Sequence, residues 1–412
     1  MLSAAAELAE ANARLLALRE RGPDQGWPRS GRLERSQLEP FVGHLGITRV
    51  ADLTDLDVLG IPVWSAIRPG SRSLCVSAGK GISHDVAWTS AVLESAEQAL
   101  AEDAPALVSV VCSPRELARK GLLSVPLERQ SRCAASWLPL DRELAWVKGL
   151  SWRTGEWVYA PYELVGMDMA TEAPWNTQQF RVSSVGLASG ADLESAITHG
   201  LSELVEDDAI FATLLPSEVH ASPLDFDLER GRGLQALVER LAAHGLEAQF
   251  ARAPTDLKLP VVLAALVSLG NQGETRNYFC GSACDTELES AALSALLEAV
   301  QCRGIFVSGA RDDLYADDYR ATLPTGTQGL FQACRFVTGA DGYASRPNPS
   351  DVLTGVLDAA ERDVYVFPLG GRRFGFDAVR VLADDLVSVH APVGYARRGR
   401  AAGNLLRRWA SS

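Results

Sequence analysis

The sequence lacks the features that mark membrane proteins, secreted disulfide proteins and nucleic-acid-binding proteins. It contains no uninterrupted run of about 18 apolar residues, so no segment is predicted to span a membrane. Its seven cysteines are odd in number and widely spread, which indicates reduced thiols in a cytoplasmic protein. It also lacks an excess of basic residues. The net charge of −13 argues against a nucleic-acid partner, which would require a basic surface.

Common metal and phosphate motifs are absent as well. The six histidines are scattered, so no zinc site is predicted. The segment Gly79-Lys80-Gly81 does not match the GxxxxGK[ST] phosphate loop. It nevertheless precedes a predicted helix, and glycine allows close backbone approach to a phosphate. Lys80 is therefore a candidate phosphate ligand, with a solvated lysine in an ordinary turn as the alternative.

The composition is that of an ordinary globular protein. A chain of 412 residues with 47% hydrophobic residues can bury a large core, as one elaborated α/β domain or two fused halves. Strand and helix patterns alternate along it, which favours α/β or α+β layers with mixed sheets packed against helices. We expect an N-terminal helix and linker at 1–30, a main domain at 31–390 and a basic tail at 391–412. A helix–strand–strand pattern at 233–267 recurs at 350–382 and suggests internal duplication.

One helical pattern occurs three times and ends each time in a pair of oxygen-bearing side chains. The copies span 87–97, 196–206 and 291–301. In each copy an alanine lies seven residues before a glutamate, a small residue lies three before it, and a second oxygen ligand follows three after it. Positions three apart share one face of a helix, so each pair points to the same side. The pairs are Glu94 and Glu97, Glu203 and Glu206, and Glu298 and Gln301.

Convergence of the three helices would bring five carboxylates and one amide oxygen together. Like charges at a few ångströms repel strongly, so such a group requires cations or bound protons. Mg²⁺ prefers oxygen ligands and commonly bridges carboxylates to phosphates. The residues alone therefore predict a Mg²⁺–nucleotide site. The alternative is three amphipathic helices with solvated glutamates, which is common for a single copy and less so for three in one register.

The surroundings of these helices resemble the YcaO family. The first matching motif is a loop, Ser77-Ala-Gly-Lys-Gly81, followed by the helix from Ser90 to Glu97. The second is a loop, Gly186-Leu-Ala-Ser-Gly190, followed by Glu203-Leu-Val-Glu206-Asp-Asp-Ala209. The third is Glu298-Ala-Val-Gln301 followed by Ser308-Gly-Ala-Arg311-Asp-Asp313. The segments that begin at Gly46 and Gly60, with Ala101-Glu102, are similar to the subgroup that works with a TfuA partner. The resemblance runs from about residue 30 to about 385.

The resemblance implies an activity. Family members use ATP and Mg²⁺ to phosphorylate the oxygen of a peptide amide, and a nucleophile then replaces that oxygen. Sulfide gives a thioamide, a side-chain hydroxyl or thiol an azoline, and an amine an amidine; the TfuA-linked subgroup is associated with thioamides. Carried over by position, the Mg²⁺–ATP residues are Glu94, Glu97, Glu203, Glu206, Glu298 and Gln301, with Ser90 nearby. A peptide substrate, a TfuA-like partner and a homodimer are further expectations.

Several positions depart from the family motifs. They are Val185, Ala191, Ser195, Asp207 and Ser294, where the family favours other residues at the nucleotide site. A non-catalytic subunit that binds peptide and partner therefore stays open beside the enzyme. The Pro-rich tail of azoline-forming members is absent, which disfavours that reaction.

Three further features each have a functional and a structural interpretation. Arg311 is a candidate phosphate ligand or one half of a structural ion pair. His199, four residues before Glu203, could orient that carboxylate or be a satisfied core histidine. The basic run at 395–409 could bind an acidic peptide or be a solvated tail.

Overall fold

The computed structural model describes residues 4–21, 31–130, 140–170, 172–214, 224–227, 232–255, 257, 259–268, 278–320, 332–333, 335–337, 363–384 and 386. The helices in these ranges are α1 (Ala4–Arg21), α2 (Arg35–Leu38), α3 (His84–Ala101), α4 (Ala104–Leu107), α5 (Pro114–Arg119), α6 (Tyr162–Val165), α7 (Leu193–Leu214), α8 (Arg232–Ala243) and α9 (Leu288–Ser308). The strands are β1 (Arg49–Asp52), β2 (Val63–Ile67), β3 (Val76–Lys80), β4 (Val108–Cys112), β5 (Leu123–Ser124), β6 (Leu144–Ser151), β7 (Trp157–Pro161), β8 (Leu187–Gly190), β9 (Asp225–Asp227), β10 (Leu246–Arg252), β11 (Val261–Ser268), β12 (Tyr278–Cys284), β13 (Gln332–Ala333), β14 (Arg335–Val337), β15 (Val364–Gly370) and β16 (Asp377–Ala383).

The strands form sheets that pack against the long helices. One antiparallel sheet has the order β1-β2-β3, and a second has the order β12-β11-β10-β13. The largest sheet runs β5-β7-β6-β15-β16-β8, with β4 also paired to β6, and it mixes antiparallel pairs with the parallel pair β5–β7. Mixed sheets packed against helices are what the alternating pattern predicted, and the fold class is confirmed.

Each helix of the repeated pattern lies on the strand that directly precedes it. Helix α3 follows and packs on β3, α7 packs on β8, and α9 packs on β12. Glycines, which have no side chain, make this close approach possible. A Cβ atom added to Gly79 would lie 2.2 Å from the backbone nitrogen of Ala91, and one added to Gly281 would lie 2.3 Å from the carbonyl oxygen of Ala295. In the second copy a glycine is on the helix: a Cβ atom added to Gly200 would lie 2.9 Å from the Val381 side chain on β16 and 3.4 Å from the Cβ atom of Ala188 on β8.

A capping serine begins α3 and a left-handed glycine ends α9. The Ser83 side chain accepts a hydrogen bond from the backbone nitrogen of Val86 and caps α3. Helix α9 ends at Gly309, which has the left-handed φ of 60° that glycine adopts easily. The sequence pattern predicts that α9 ends near 302, but it runs to Ser308, because apolar residues continue and Gly304 packs beside Val63, whose side chain would lie 3.2 Å from an added Cβ atom.

The structure corrects several local predictions. Gly79 and Lys80 end strand β3 and do not form a loop. The Gly186–Gly190 segment, also expected to be a loop, contains strand β8. Strand β12 was not predicted at all. The helix expected at 350–360, on which the proposed duplication depended, and the tail at 391–412 lie outside the described residues.

One described helix satisfies the length and composition of a membrane span, contrary to the expectation that no segment would. This helix is α9, and half of its apolar window is buried inside the protein. Its alanines and leucines pack against β11 and β12 in one of the hydrophobic cores. Core packing therefore accounts for its apolar composition.

Candidate active site

The three helices of the repeated pattern surround one cavity of about 700 Å³, which we call the central cavity. Eight of the nine residues proposed for the site line it: Lys80, Ser90, Glu94, Glu97, Glu203, Glu298, Gln301 and Arg311. We refer to Glu94, Glu97, Glu203 and Glu298 as the cavity carboxylates. The shared register of the helices thus does bring their side chains together, and the volume is typical of a small-molecule site.

Glu206 is the one proposed residue that does not line the central cavity. Its carboxylate accepts hydrogen bonds from the Ser282 hydroxyl at 2.5 Å and from the backbone nitrogen of Cys284 at 3.2 Å. Both donors belong to β12, so Glu206 ties α7 to the sheet beneath α9. It still lies close enough to Glu203 and Glu298 to interact electrostatically with them.

The second residue of every pair makes a bond of this kind. Glu97 on α3 accepts a hydrogen bond from the Ser189 hydroxyl on β8 at 2.6 Å. Gln301 on α9 donates its amide N–H to the carbonyl oxygen of Ala78 on β3 at 3.2 Å. Because Glu206 on α7 is bonded to β12 in the same way, each helix is connected to the strand of the next strand–helix unit, and the three connections form a closed cycle. We call them the inter-unit bonds.

Cationic side chains balance part of the acidity. The Lys80 ammonium lies 2.6 Å from the Glu298 carboxylate, and about a quarter of the lysine side chain is exposed. Burial favours the neutral amine, but Glu298 outweighs it and the pKa of Lys80 is raised. Arg311 forms a two-pronged ion pair with Asp313, at 2.5 and 2.9 Å, while still lining the cavity. Both interpretations of Arg311 therefore remain compatible with its position.

Burial and mutual repulsion raise the pKa values of the acidic groups. Burial is the main cause for Glu94 and Glu203, whose pKa values rise to about 7, and neighbouring carboxylates add to it. The pKa of Glu97 is raised well above its usual range for the same reasons, and that of Glu206 rises to about 8. His199 lines the central cavity with an exposed ring, and its Nε2 lies 3.6 Å from a carboxylate oxygen of Glu203. At neutral pH these glutamates are therefore partly protonated, and a bound cation would displace those protons.

The side chains that line the central cavity fit a Mg²⁺–nucleotide, provided that the phosphate also contributes oxygen ligands to the metal. No three His, Cys, Asp or Glu side chains in the described ranges are arranged to hold a metal ion by themselves. Mg²⁺ does not require such a cluster, since it usually takes one or two carboxylates together with phosphate oxygens and water. Lys80 and Arg311 add positive charge suited to phosphates. The residues therefore fit Mg²⁺ held jointly with a phosphate ligand.

Arg380 is a functional candidate that sequence reasoning missed. It lies on β16, is 1% exposed, and donates to the carbonyl oxygens of Val165 and Val185. Burial lowers its pKa to about 10, while the charges of Glu203 and Glu97 act in the opposite direction. A basic residue inside the otherwise apolar run at 378–382 was the available signal. Cys302, Ser189 and Arg32 also line the central cavity without having been predicted.

The positions that depart from the family motifs occupy different places. Ala191 and Ser195 line the central cavity. The Ser195 hydroxyl bonds to Asp192 at 2.7 Å and helps to begin α7. Val185 and Asp207 instead line a separate, smaller cavity behind α7. The departures at these two positions therefore do not remove side chains from the wall of the central cavity.

Comparisons with known proteins place this site in a family. Residues 78–387 match the family model described as YcaO cyclodehydratase, ATP- and Mg²⁺-binding. An uncharacterized protein in the tfuA 3′ region of Rhizobium leguminosarum bv. trifolii is 36% identical over 282 residues, which cover 67% of this chain and 66% of that protein. An uncharacterized Mycobacterium tuberculosis protein is 32% identical over 71% of this chain and 63% of its own length. The chain thus matches just under two thirds of the length of these relatives.

Solved structures share the fold. YcaO from Methanopyrus kandleri, bound with AMPPCP and Mg²⁺, has a TM-score of 0.60 at 22% identity and covers 89% of this chain and 92% of that one. A heterocyclase in complex with substrate and cofactor has a TM-score of 0.69 at 18% identity, over 91% of this chain and 56% of that one. ATP and Mg²⁺ are the cofactors of the matched family, which confirms that prediction. With three quarters of its length matched to the family model, the chain belongs to the YcaO family.

Proposed function

We propose that this protein uses Mg²⁺–ATP to activate a backbone amide of a peptide, and that sulfide delivered by a TfuA-type partner then replaces the amide oxygen. The observation that carries the proposal is the central cavity, in which three helices bring four carboxylates together with Lys80 and Arg311. The relative in a tfuA 3′ region supports the choice of thioamide over other products. A peptide substrate, a cytoplasmic location and a homodimer remain predictions.

The residues have distinct roles in this proposal. The cavity carboxylates would hold Mg²⁺, and Lys80 and Arg311 would contact phosphate oxygens. ATP supplies the phosphoryl group that turns the amide oxygen into a leaving group. The Lys80–Glu298 ion pair would then exchange partners, because Mg²⁺ at Glu298 leaves the ammonium free for a phosphate. Glu203, which accepts a hydrogen bond from the backbone nitrogen of Gly186 at 3.1 Å, is held in place for metal binding.

One observation favours a second candidate, the non-catalytic subunit. Lys80 already neutralises Glu298, and Glu206 is engaged by two donors on β12. Two of the five carboxylates of the site are thus satisfied within the protein and need no metal. In this alternative the chain binds peptide and partner without consuming ATP. An azoline or amidine synthase would use the same cavity with another nucleophile.

The decisive experiment combines the purified chain with a TfuA-type protein, a candidate precursor peptide, ATP, Mg²⁺ and hydrosulfide, and measures peptide mass. Sulfur in place of oxygen makes the peptide heavier, whereas azoline formation removes water and makes it lighter. The Glu298→Gln variant serves as the inactive control and Glu20→Gln, on the exposed face of α1, as the matched neutral control. Peptide and partner binding without mass change or ATP consumption would establish the non-catalytic alternative.

Calorimetry with Mg²⁺ and AMPPCP gives a test that needs neither peptide nor partner. We expect binding to the parent and to Glu20→Gln, and at least tenfold weaker binding to Glu298→Gln, since a charged metal ligand is worth more than 1.4 kcal/mol. Absence of nucleotide binding to the parent protein would contradict the enzymatic proposal.

A further inference from the structure

The loop that joins β2 to β3, residues 68–75, connects two sequence features to which the proposed function gives no role. One is the segment that begins at Gly60 and contains Arg68, and the other is the pair Ala101-Glu102 at the end of α3. The Nη1 and Nη2 atoms of Arg68 lie 2.5 and 2.7 Å from the two carboxylate oxygens of Glu102. Both side chains are less than a tenth exposed. Two features distant in sequence therefore form one buried ion pair.

Glu102 also holds the loop through two serines. Its Oε1 atom accepts hydrogen bonds from the hydroxyl groups of Ser71 and Ser73, at 2.8 and 2.7 Å, and from the backbone nitrogen of Ser73 at 3.1 Å. Burial favours the neutral acid, but the bonds from Arg68 and the serines outweigh it and lower the pKa of Glu102. Hydrogen bonds to a charged, buried acceptor are stronger than those between neutral groups. The carboxylate therefore fastens the loop to the end of α3.

The other end of the loop meets the turn that contains Arg311. The backbone nitrogen of Cys75 donates a hydrogen bond to the Asp312 carboxylate at 3.3 Å. Arg311 itself is paired with Asp313, two residues along the same turn. That ion pair orients the guanidinium within the turn but does not attach the turn to the rest of the protein. The position of Arg311 in the central cavity thus depends on what holds the whole turn, and the bond from Cys75 is one such attachment.

We propose that Glu102 is a positioning residue, which acts through the loop at 68–75 to hold Arg311 at the central cavity for phosphate binding. The inference rests on the proposed function, because it requires a phosphate ligand. Glu102 is not among the described residues that line the central cavity, so it makes no contact with the nucleotide in this proposal. Its effect on nucleotide binding should therefore pass through Arg311.

Hydrogen exchange of the full chain, without nucleotide, peptide or partner, tests the structural part. Glu102→Gln removes the charge with little change of shape, and should raise amide exchange in residues 309–314 by about tenfold. Asp363→Asn is the matched control, since Asp363 is also a buried carboxylate with several donors, the Ser151 hydroxyl among them. It should leave exchange in 309–314 as in the parent. Unchanged exchange in this segment of Glu102→Gln would overturn the inference.

Calorimetric titration with Mg²⁺ and AMPPCP tests the functional part. Arg311→Ala should weaken binding by about tenfold, as expected for one hydrogen bond to a charged group. Glu102→Gln should weaken binding when Arg311 is present and have no further effect in the Arg311→Ala background. A contribution of Glu102 to stability alone would weaken binding by the same factor in both backgrounds, and that result would overturn the positioning role.

Asp312→Ala removes the last bond of the chain at an exposed position, so the test does not depend on the folding of Glu102→Gln. It should raise exchange in 309–314 and weaken AMPPCP binding only when Arg311 is present, whereas the exposed control Asp317→Ala should do neither. If the parent binds no AMPPCP, the proposed function and the phosphate-binding purpose of Arg311 both fail. Exchange in 309–314 then still decides whether Glu102 holds the turn.

Discussion

Replacement of Glu203 by glutamine should both stabilise the folded protein and abolish its ATP-consuming activity. Burial and neighbouring carboxylates raise the pKa of Glu203 to about 7, so its ionised form is disfavoured in the folded state. A group whose pKa is higher in the folded than in the unfolded state contributes its full stabilisation at a pH below the unfolded-state pKa. This stabilisation is lost as the pH rises through the folded-state pKa. Glutamine carries no charge and can still accept the hydrogen bond from the backbone nitrogen of Gly186.

The magnitude follows from the shift. A rise from 4.5 to about 7 corresponds to roughly 3.4 kcal/mol at 1.36 kcal/mol per pH unit. The side chain is 34% exposed, so solvent screening reduces this to about 1–2 kcal/mol. With about 2.1 cal/mol/K of unfolding entropy per residue, the midpoint at pH 8 should rise by about 1–2 °C. At pH 4.5 the gain should vanish, since the carboxyl group of the parent is then protonated in the folded state.

Differential scanning calorimetry of Glu203→Gln and the parent at pH 4.5, 6 and 8 measures this, with Glu20→Gln as the control for loss of an exposed charge. Phosphoryl transfer depends on charge stabilisation at the metal, so peptide-dependent ATP consumption should fall to background in Glu203→Gln. A midpoint shift that does not depend on pH would refute the electrostatic reasoning. ATP turnover at the parent rate would show that α7 does not hold the metal.

Three further predictions follow from the same geometry. Mg²⁺–ATP binding at pH 7 should release protons from Glu94, Glu97 and Glu203, whose pKa values are raised, and identical calorimetric heats in buffers of different ionisation enthalpy would contradict this. Gln301→Glu should lower the free energy of unfolding by about 1–3 kcal/mol in denaturant titrations, because a carboxylate cannot donate to the Ala78 carbonyl oxygen; unchanged stability would argue against the inter-unit bond. Gly79→Ala should cost about 1–3 kcal/mol by pushing α3 off β3, whereas Gly233→Ala, in open space on α8, should be neutral or stabilising.

The helices of the site could be predicted because their signal is local and repeated. The helical pattern predicts helices at about 84–102 and 192–214, and α3 and α7 agree with these bounds to within one residue at each end. Small residues three before each glutamate indicated close packing. Ala91 and Ala295 are fully buried against their strands, as that spacing implied. Convergence on one cavity followed from the shared register of the three copies and not from any single motif.

The strands beside the helices could not be recognised from local sequence. Glycine is a usual sign of a turn, so the segments around Gly79 and Gly190 were predicted as loops. In the structure these glycines lie in strands because a helix crosses within contact distance of the backbone. That requirement comes from tertiary packing and leaves no periodic signal. Arg380 was missed for a related reason, since its two acceptors, the carbonyl groups of Val165 and Val185, are far from it in sequence.

The inter-unit bonds also explain why the third pair ends in glutamine. Glu97 and Glu206 each face a serine hydroxyl, which donates, so a carboxylate is the appropriate acceptor. Gln301 faces the carbonyl oxygen of Ala78, which can only accept, and therefore an amide donor is needed. The chemical type of each second residue thus depends on the strand of the next unit. The first glutamate of each pair, Glu94, Glu203 or Glu298, lines the central cavity. Glu298 also pairs with Lys80 at the end of β3, but Mg²⁺ could replace that ammonium, and these three glutamates are therefore the stronger candidates for metal binding.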